Sequence, residues 1–302
     1  MKNLSAHLML FGANLVWACA YPLYHFVLRV HIDPLPLLTL TTLFTACVAL
    51  VSLAWDGHRH GRGGIEHADI LKVVAAGVLI AVIRKGMLMF GMSFTSPVDG
   101  SIIATLTPVA VLIISLAMGV ERFSKYRLLG ILLGLAGAVG VILSGSSGDD
   151  GGGGHAQMWG NVMILGCSFI SAIYMVWFKE LLKKYDPATL MRWVFCVAAA
   201  VVVPIGFESV VQTNFAVFDA HAWLAVAYLI VLPTYLPNLL ITSALQYVQP
   251  TVTSVYTYVQ PTVAVAISVA MGIDKLSIET VIFGALLFWG VGMVIFAPKS
   301  GV

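Results

Sequence analysis

Long apolar runs, separated by short polar stretches, follow one another along the whole chain. Their lengths are close to the ~20 residues with which an α-helix crosses about 30 Å of hydrocarbon. The pattern therefore predicts an all-α integral membrane protein with ten transmembrane helices. With ends set to within ~2–4 residues, these helices are predicted at 7–28, 35–55, 70–92, 98–119, 127–144, 158–180, 188–207, 221–244, 251–272 and 280–297.

The composition agrees with this prediction. Hydrophobic residues make up 60% of the 302 residues and charged residues only 10%, whereas roughly 25% of the residues in soluble domains are charged. The surroundings expected for the chain are therefore a lipid bilayer. Neither a basic face nor a nucleic-acid-binding motif is found, so no nucleic-acid partner is predicted.

One stretch of the chain occurs twice. Residues 107–124 read TPVAVLIISLAMGVERFS, and residues 260–277 read QPTVAVAISVAMGIDKLS. The two copies lie 153 positions apart, the difference between 260 and 107. The same offset relates Tyr21 to Tyr174 and Pro97 to Pro250. A register kept over this distance indicates two related halves.

Each half contains five predicted helices. Because five is odd, the second half enters the membrane from the opposite side, as in transporters with inverted repeats. We divide the chain into a first five-helix repeat (1–144), a Gly-rich linker (145–157) that contains SGDDGGGGH, and a second five-helix repeat (158–302). The linker has the composition of a flexible connection, and no GxxxxGK[ST] phosphate-binding loop is present.

Basic residues indicate how the chain is oriented. With a cytoplasmic N-terminus, most of the Lys and Arg residues outside the predicted helices lie on the cytoplasmic side, and only Arg29 and Lys275 lie outside. Short cytoplasmic loops carry this excess in membrane proteins. We predict a multi-pass protein of the cell (inner or plasma) membrane with both termini in the cytoplasm.

Two adjacent cations lie deep in the third predicted helix. Arg84 follows Lys72 by 12 residues, which is about 18 Å along a helix, and Lys85 comes next. A charge at mid-membrane is costly and commonly marks a substrate or ion pathway. Because no acidic residue lies in the middle of any predicted helix, we interpret Arg84 and Lys85 as substrate-binding candidates; a structural role is the alternative.

The repeat places a proline-rich segment opposite this pair. Lys85 corresponds to Asn238, and Val82 corresponds to Tyr235, within PTYLPN at 233–238. Helices interrupted at corresponding places in two repeats are typical of transporter binding sites. Tyr235 and Asn238 are therefore further candidates, and a proline kink without a binding role is the alternative.

Aromatic and polar residues complete the candidate site. Trp17 and Tyr21 share a stripe of the first helix, and Tyr174 and Trp177 share one of the sixth; packing is as plausible for them as cavity lining. In the ninth helix, Tyr258 and Gln260 belong to a polar stretch that is expected to face the fourth helix, with bonds to its own backbone as the alternative. The four cysteines lack CxxC spacing, and no metal site or cofactor is predicted.

Several local motifs resemble the drug/metabolite transporter superfamily, and in particular its ten-helix EamA-type members. In the first half these are TSP at 95–97, Thr107-Pro108, GVER at 119–122 and the Gly-rich fifth helix. In the second half they are QP at 249–250, QP at 260–261 and MGIDKLS at 271–277. The resemblance implies a metabolite carrier, often an exporter, with a central cavity between the halves. The pair Arg84-Lys85 departs from the apolar or amide residues usual at that place in the family.

The leading hypothesis is a secondary transporter of a small organic anion or zwitterion such as an amino acid, with a proton as a possible coupling ion. An organic-phosphate or nucleotide-sugar exchanger is the alternative within this class, because paired cations suit phosphate. A membrane-embedded enzyme is the alternative from another class. Neither an HExxH nor a GxGD motif is present, so the prediction is a protein that is not an enzyme.

Overall fold

The structure is a computed structural model, and it describes residues 2–57, 64–119, 125–145, 153–272 and 277–296. These residues form ten helices. The first five are α1 Lys2–Val30, α2 Pro34–Gly57, α3 His67–Phe94, α4 Pro97–Ala117 and α5 Lys125–Gly145. The second five are α6 Gly153–Leu181, α7 Pro187–Gln212, α8 Ala220–Leu245, α9 Pro250–Ala270 and α10 Ile278–Phe296.

The all-α membrane fold is confirmed. Eight of these helices are long and apolar enough to cross a membrane. The other two, α5 and α10, contain shorter apolar stretches at Leu128–Gly137 and Ile278–Gly290. Across the described ranges the only further regular element is a short 3-10 turn at Phe215–Val217, and no strand occurs.

Helix ends differ from the predicted spans by a few residues. α6 begins at Gly153, inside the stretch predicted as a linker, and α1 extends back to Lys2. Helical hydrogen bonding does not stop where the apolar run stops, so polar residues at the membrane surface continue the helix. The rest of the Gly-rich linker and most of the 57–64 loop lie outside the described residues.

Both repeats end their fourth helix in the same way. Gly119 follows α4 with φ +69°, and Gly272 follows α9 with φ +66°. No other described residue has a positive φ. The two glycines are repeat-related, by which we mean 153 positions apart. Glycine adopts this left-handed conformation without the clash that a Cβ would cause.

The pair α5 and α10 shows the two-fold relation between the halves directly. A Cβ on Gly137 would overlap the backbone of Leu287, and a Cβ on Gly290 would overlap the backbone of Gly134. Gly290 is the repeat-related partner of Gly137, and Leu287 is that of Gly134. The two contacts are thus the same contact seen from each repeat, and small residues allow these backbones to approach closely. The glycines of α5 at this contact therefore pack inside the bundle.

The other contacts between helices also occur in repeat-related pairs. α1 packs on α8 and α9, and α6 packs on the corresponding helices α3 and α4. α2 packs on its own counterpart α7. α4 and α9 also touch each other, which agrees with the expectation that their polar stretches meet.

Two helices depart from regular α-helical hydrogen bonding near their middle. In α3, residues Val78–Arg84 form a π-helix. In α8, the helix stops at Val231 and resumes at Leu236, because Pro233 and Pro237 have no N–H to donate. The segment repeat-related to 78–84 is 231–237, so both irregularities lie at the same place in the two repeats.

Candidate functional site

A cavity lies among α1, α3, α4, α6, α7, α8 and α9, between the two irregular segments. Its volume, measured to the centres of water-sized spheres, is about 90 Å³. About 10–15 Å³ by this measure holds one water molecule. The cavity therefore has room for several waters or for a small solute.

The two repeats contribute equivalent residues to the cavity. Many of its lining residues occur as repeat-related pairs, among them Tyr21 with Tyr174, Ile80 with Pro233, Lys85 with Asn238, Ala104 with Thr257, and Thr107 with Gln260. Both halves therefore build one site between them. The position fits an inverted-repeat transporter, in which the substrate site lies at the repeat interface.

Arg84 is held in a defined orientation at the end of the π-helix. Its Nε donates to Ser171 Oγ over 2.8 Å, and Ser171 donates in turn to the carbonyl oxygen of Cys167. The guanidinium carbon lies 5.2 Å from the centre of the Trp17 ring, a cation–π distance. Cys167 Sγ also donates to the Arg84 carbonyl at 3.3 Å. One hydrogen bond and one ring therefore hold the guanidinium at the cavity wall.

Lys85 also lines the cavity, and no counter-charge lies beside it among the described lining residues. In the part of the chain that the structure describes, its ammonium has neither a hydrogen-bond acceptor nor a carboxylate within ion-pair distance. The lining contains no Asp or Glu. Two adjacent cations therefore meet a cavity without acidic residues, so the electrostatics favour an anion.

The break in α8 is joined to the first helix. Because Pro237 cannot donate to the carbonyl of Pro233, four residues earlier, that oxygen would lack its helical partner. Trp17 Nε1 donates to it instead, over 3.0 Å. Trp17 thus contacts both irregular segments, with its ring face toward Arg84 and its N–H toward Pro233.

Amide and hydroxyl groups form a second side of the cavity. Tyr21 OH donates to Gln260 Oε1 over 3.2 Å, and Gln260 Nε2 donates to Asn14 Oδ1 over 2.7 Å. On the opposite repeat, Tyr174 OH lies 3.0 Å from Thr242 Oγ1. Buried polar groups that are paired in this way hold their shape, which orients the two tyrosines at the cavity wall.

Seven of the ten predicted site residues line this cavity, and three do not. Trp177 packs against the hydrophobic core around α6 and α7. Tyr235 lies with its ring centre 5.5 Å from that of Phe195. Tyr258 contacts Phe288, with ring centres 5.4 Å apart. Tyr235 and Tyr258 lie within irregular turns, at 232–235 and 256–258, where regular helical spacing does not give the direction of a side chain. Trp177 lies in the regular part of α6.

Sequence reasoning did not select Ser171, Tyr24 or Thr242, which also line the cavity. Ser171 is three residues before Tyr174, so it shares a helix face with a selected residue. That spacing could have identified it. Thr242 follows Asn238 by four residues in the same way, and Tyr24 follows Tyr21 by three.

The polar stretches of α4 and α9 chiefly bond to their own helices. Ser101 and Ser254, which are repeat-related, each donate to the carbonyl three residues earlier. Thr257 donates to Ser254 O in the same way. The alternative interpretation of this region, backbone bonding, therefore accounts for most of these hydroxyls. Gln260 and Tyr256 reach another helix, since they contact Asn14 and His7 of α1.

Comparison with known proteins bears directly on this arrangement. The model of the EamA-like transporter family matches the chain twice, at residues 4–143 and 158–296. The chain belongs to the EamA-like transporter family. The two matches coincide with the two five-helix halves that share the cavity, and membership makes the protein a transporter.

Relatives of this EamA-family chain agree with the assignment. Two proteins of Archaeoglobus fulgidus, each described as an uncharacterized transporter, are 29% identical over 126 residues and 23% identical over 207 residues. The chain covers 42% of the length of the first and 68% of the second, and the same shares of this chain are matched. A solved crystal structure of a protein superposes with a TM-score of 0.66 at 19% identity. It covers 98% of this chain and 99% of its own. That likeness concerns the fold.

Proposed function

We propose that this EamA-family transporter carries a small organic anion whose carboxylate or phosphate group binds between Arg84 and Lys85. The observation that supports the proposal is the uncompensated positive charge of the cavity. The lining holds two adjacent cations and no Asp or Glu. Burying charge without a counter-charge is unfavourable, so an anionic solute would lower the energy of the occupied site.

A zwitterion fits this site less well than an anion. The described lining offers no carboxylate to pair with the ammonium group of an amino acid. The two basic side chains Arg84 and Lys85 would also repel it. The proposed substrate therefore carries net negative charge, as a dicarboxylate or a phosphate ester does.

The proposed mechanism is alternating access around a fixed site. The two irregular segments lie at equivalent places in α3 and α8, where the loss of regular hydrogen bonds allows the half-helices on either side to move separately. Rocking of one repeat against the other would then expose Arg84 and Lys85 to each face in turn. Export from the cytoplasm is the direction that the family resemblance favours.

The test is solute uptake by the purified protein in liposomes. Each assay uses one labelled probe: a dicarboxylate, a phosphate monoester, a zwitterionic amino acid or a neutral nucleoside. We expect flux of at least one anion and none of the nucleoside. Flux of the amino acid alone would refute an anionic substrate. If neither anion moves and neither raises the melting temperature of the protein, the proposal fails as well.

Substitutions then test whether anion transport needs the charge of Lys85. Lys85→Ala should abolish anion flux while the protein remains folded, since removing a charge from the membrane interior does not destabilise it. Lys85→Arg should retain part of the flux, because the charge persists but its geometry changes. Lys125→Ala is the control, since Lys125 is an exposed cation at the start of α5 and does not line the cavity.

An exchange variant uses the two-fold relation. Lys85→Asn combined with Asn238→Lys moves the cation to the repeat-related position on the same cavity. Partial recovery of anion flux relative to Lys85→Asn alone is expected. Equal inactivity of the single and double variants, with both folded, would show that the position of the charge matters more than its presence.

A further inference from the structure

A cluster of ionic contacts joins the ends of two cavity-lining helices on one face of the bundle. Lys184, just after α6, lies 2.6 Å from Glu66 Oε2 and 2.8 Å from Asp69 Oδ2 at the start of α3. Tyr185 OH donates to Asp69 Oδ2 at 3.0 Å. We name Lys184, Tyr185, Glu66 and Asp69 the lysine latch. It holds the N-terminus of α3 against the C-terminus of α6.

The repeat places a related pair on the opposite face. The counterpart of Lys184 is His31, between α1 and α2, and the counterpart of Glu66 is Asp219. Both carboxylates are the residue just before their helix, α3 in one repeat and α8 in the other. We name His31 and Asp219 the histidine latch. It lies where the C-terminus of α1 meets the N-terminus of α8.

Each helix takes the chain across the membrane once, so odd-numbered helices begin on the side of the N-terminus and even-numbered helices end there. The start of α3 and the end of α6 therefore lie on the side of the N-terminus. The end of α1 and the start of α8 lie on the opposite side. The lysine latch therefore lies on the side of the N-terminus and the histidine latch on the other. α1, α3, α6 and α8 all line the cavity, so each latch joins two cavity walls at one face.

The two latches are in different states in this structure. The Lys184 contacts are made, whereas His31 Nδ1 is buried and, among the described residues, has no hydrogen-bond partner. His31 packs on the residue before Asp219: its ring centre is 5.7 Å from that of Phe218. Asp219 instead accepts from the backbone N–H of Ala222. One latch is closed and the repeat-related one is not engaged.

The latches also differ in how they respond to pH. Hydrogen bonds to Asp69 and Glu66 raise the pKa of Lys184 above its ordinary value, so this latch keeps its charge near neutrality. The Ala222 N–H lowers the pKa of Asp219, which keeps it a carboxylate. Histidine, in contrast, changes charge between about pH 5 and 8.

Other titratable groups lie at the same face of the bundle as His31. Asp33 borders the same surface pocket as His31. Glu208 on α7 accepts from Gln212, and Gln212 also lines this pocket. His221 lies 3.5 Å from Asp219 and is the other histidine at this face. Asp33 shares a pocket with His31, and Asp219 directly follows Phe218, whose ring His31 contacts, so a protonated His31 would have acidic groups nearby.

We propose that these groups are repeat-related latches that close opposite faces of the cavity in turn, and that protonation of His31 closes the second one. This inference rests on the alternating access included in the proposed function. It makes the equilibrium between the two states, with the cavity open to one face or to the other, sensitive to pH at one face. Acid at that face favours its closure and, by the rocking of the repeats, opens the face of the lysine latch.

Spin labels test this without any substrate, so the result does not depend on whether an anion is carried. Labels are placed on Val30 and Val217 near the histidine latch, and on Leu71 and Lys183 near the lysine latch. All four positions are exposed. The protein is full-length, lacks its four cysteines and is held in nanodiscs. Between about pH 8 and about pH 5.5, the Val30–Val217 distance should shorten and the Leu71–Lys183 distance should lengthen.

Variants identify the group responsible. His31→Gln should abolish the change in both distances, and His31→Lys, which copies Lys184, should hold the Val30–Val217 distance short at both pH values. His221→Gln is the matched control and should keep the wild-type response. A response that persists in His31→Gln, or that disappears in His221→Gln, would overturn the proposal. So would distances in the wild-type protein that do not change with pH.

Discussion

Trp17 Nε1 donates to the carbonyl oxygen of Pro233, 216 residues later in the chain, over 3.0 Å. The bond exists because Pro237 leaves that carbonyl without its helical donor. The same indole ring lies under Arg84, with 5.2 Å between the guanidinium carbon and the ring centre. One side chain therefore connects the irregular segments of both repeats at the wall of the cavity.

Trp17→Phe should separate the two contacts of this residue. The substitution keeps an aromatic face beneath Arg84 but removes the N–H, and a buried carbonyl without a partner costs about 1–3 kcal/mol. We expect a lower melting temperature in detergent for the variant. Trp193→Phe is the control, since Trp193 is 43% exposed on the outside of α7. Equal melting temperatures for the two variants would contradict a structural role for the Pro233 bond.

Ser171→Ala should weaken anion binding without removing a cation from the site. Arg84 would lose the acceptor of its Nε hydrogen bond, and a bond of this kind contributes about 0.5–1.5 kcal/mol. The expected increase in the apparent dissociation constant is therefore roughly 2- to 10-fold. It is measured by titrating the transported anion against protein stability.

The control for Ser171 is Ser93→Ala, which removes a hydroxyl that donates to a backbone carbonyl near the C-terminal end of α3. Its apparent dissociation constant should equal that of the wild-type protein. If Ser171→Ala binds the anion as tightly as Ser93→Ala does, then Arg84 does not need this hydrogen bond, and its orientation comes from Trp17 alone.

Gly137→Ala and Gly290→Ala should destabilise the protein to a similar degree. Each added methyl group would overlap backbone atoms of the opposite helix in the α5–α10 pair. Overpacking of this kind costs about 1–3 kcal/mol. Because the two positions are repeat-related, their effects on thermal unfolding should be alike.

Gly292→Ala is the control for this pair. It lies on α10 only two residues beyond Gly290, and nothing stands within 4 Å of its added methyl group. The substitution should leave stability unchanged or raise it by about 0.5–1 kcal/mol, since alanine favours the helix. A loss of stability at Gly292 equal to that at Gly290 would contradict close packing as the cause.

The orientation predicted from the basic residues can be tested by cysteine labelling. A cysteine at Gly152 is expected to react with a membrane-impermeant reagent in intact cells, and one at Gly61 is not. Both positions lie outside the described residues. The background lacks the four native cysteines. Labelling of Gly61 but not of Gly152 would reverse the assignment of the two faces.

Much of the fold could be predicted because a bilayer restricts the possible structures. In hydrocarbon the backbone polar groups of a segment must bond to one another, so an apolar run of sufficient length forms a transmembrane helix. The repeat then fixed the relation between the halves: Gly119 and Gly272, found from their matching sequence, adopt nearly the same φ. Helix ends were predicted less well, because polar residues continue α1 and α6 beyond the membrane region.

The site was predicted only in part. Arg84 and Lys85 were identified because a charge in an apolar run is costly and therefore conspicuous. Tyr235 and Tyr258 were selected on the same helices as true lining residues, yet they point elsewhere. Periodicity assumes a regular helix, and the turn at 232–235 and the 3-10 segment at Tyr256–Tyr258 change the direction of the side chains next to them.

By itself, then, the sequence determined that the chain forms membrane helices, that it consists of two related halves, and that two cations lie deep within one of them. These properties depend on the order and spacing of residues along single helices. Only the tertiary structure decided that Ser171 and Trp17 hold Arg84, and that His31 packs on Phe218. Such contacts join residues far apart in the chain, and they depend on how whole helices rotate and pack, which no local pattern specifies.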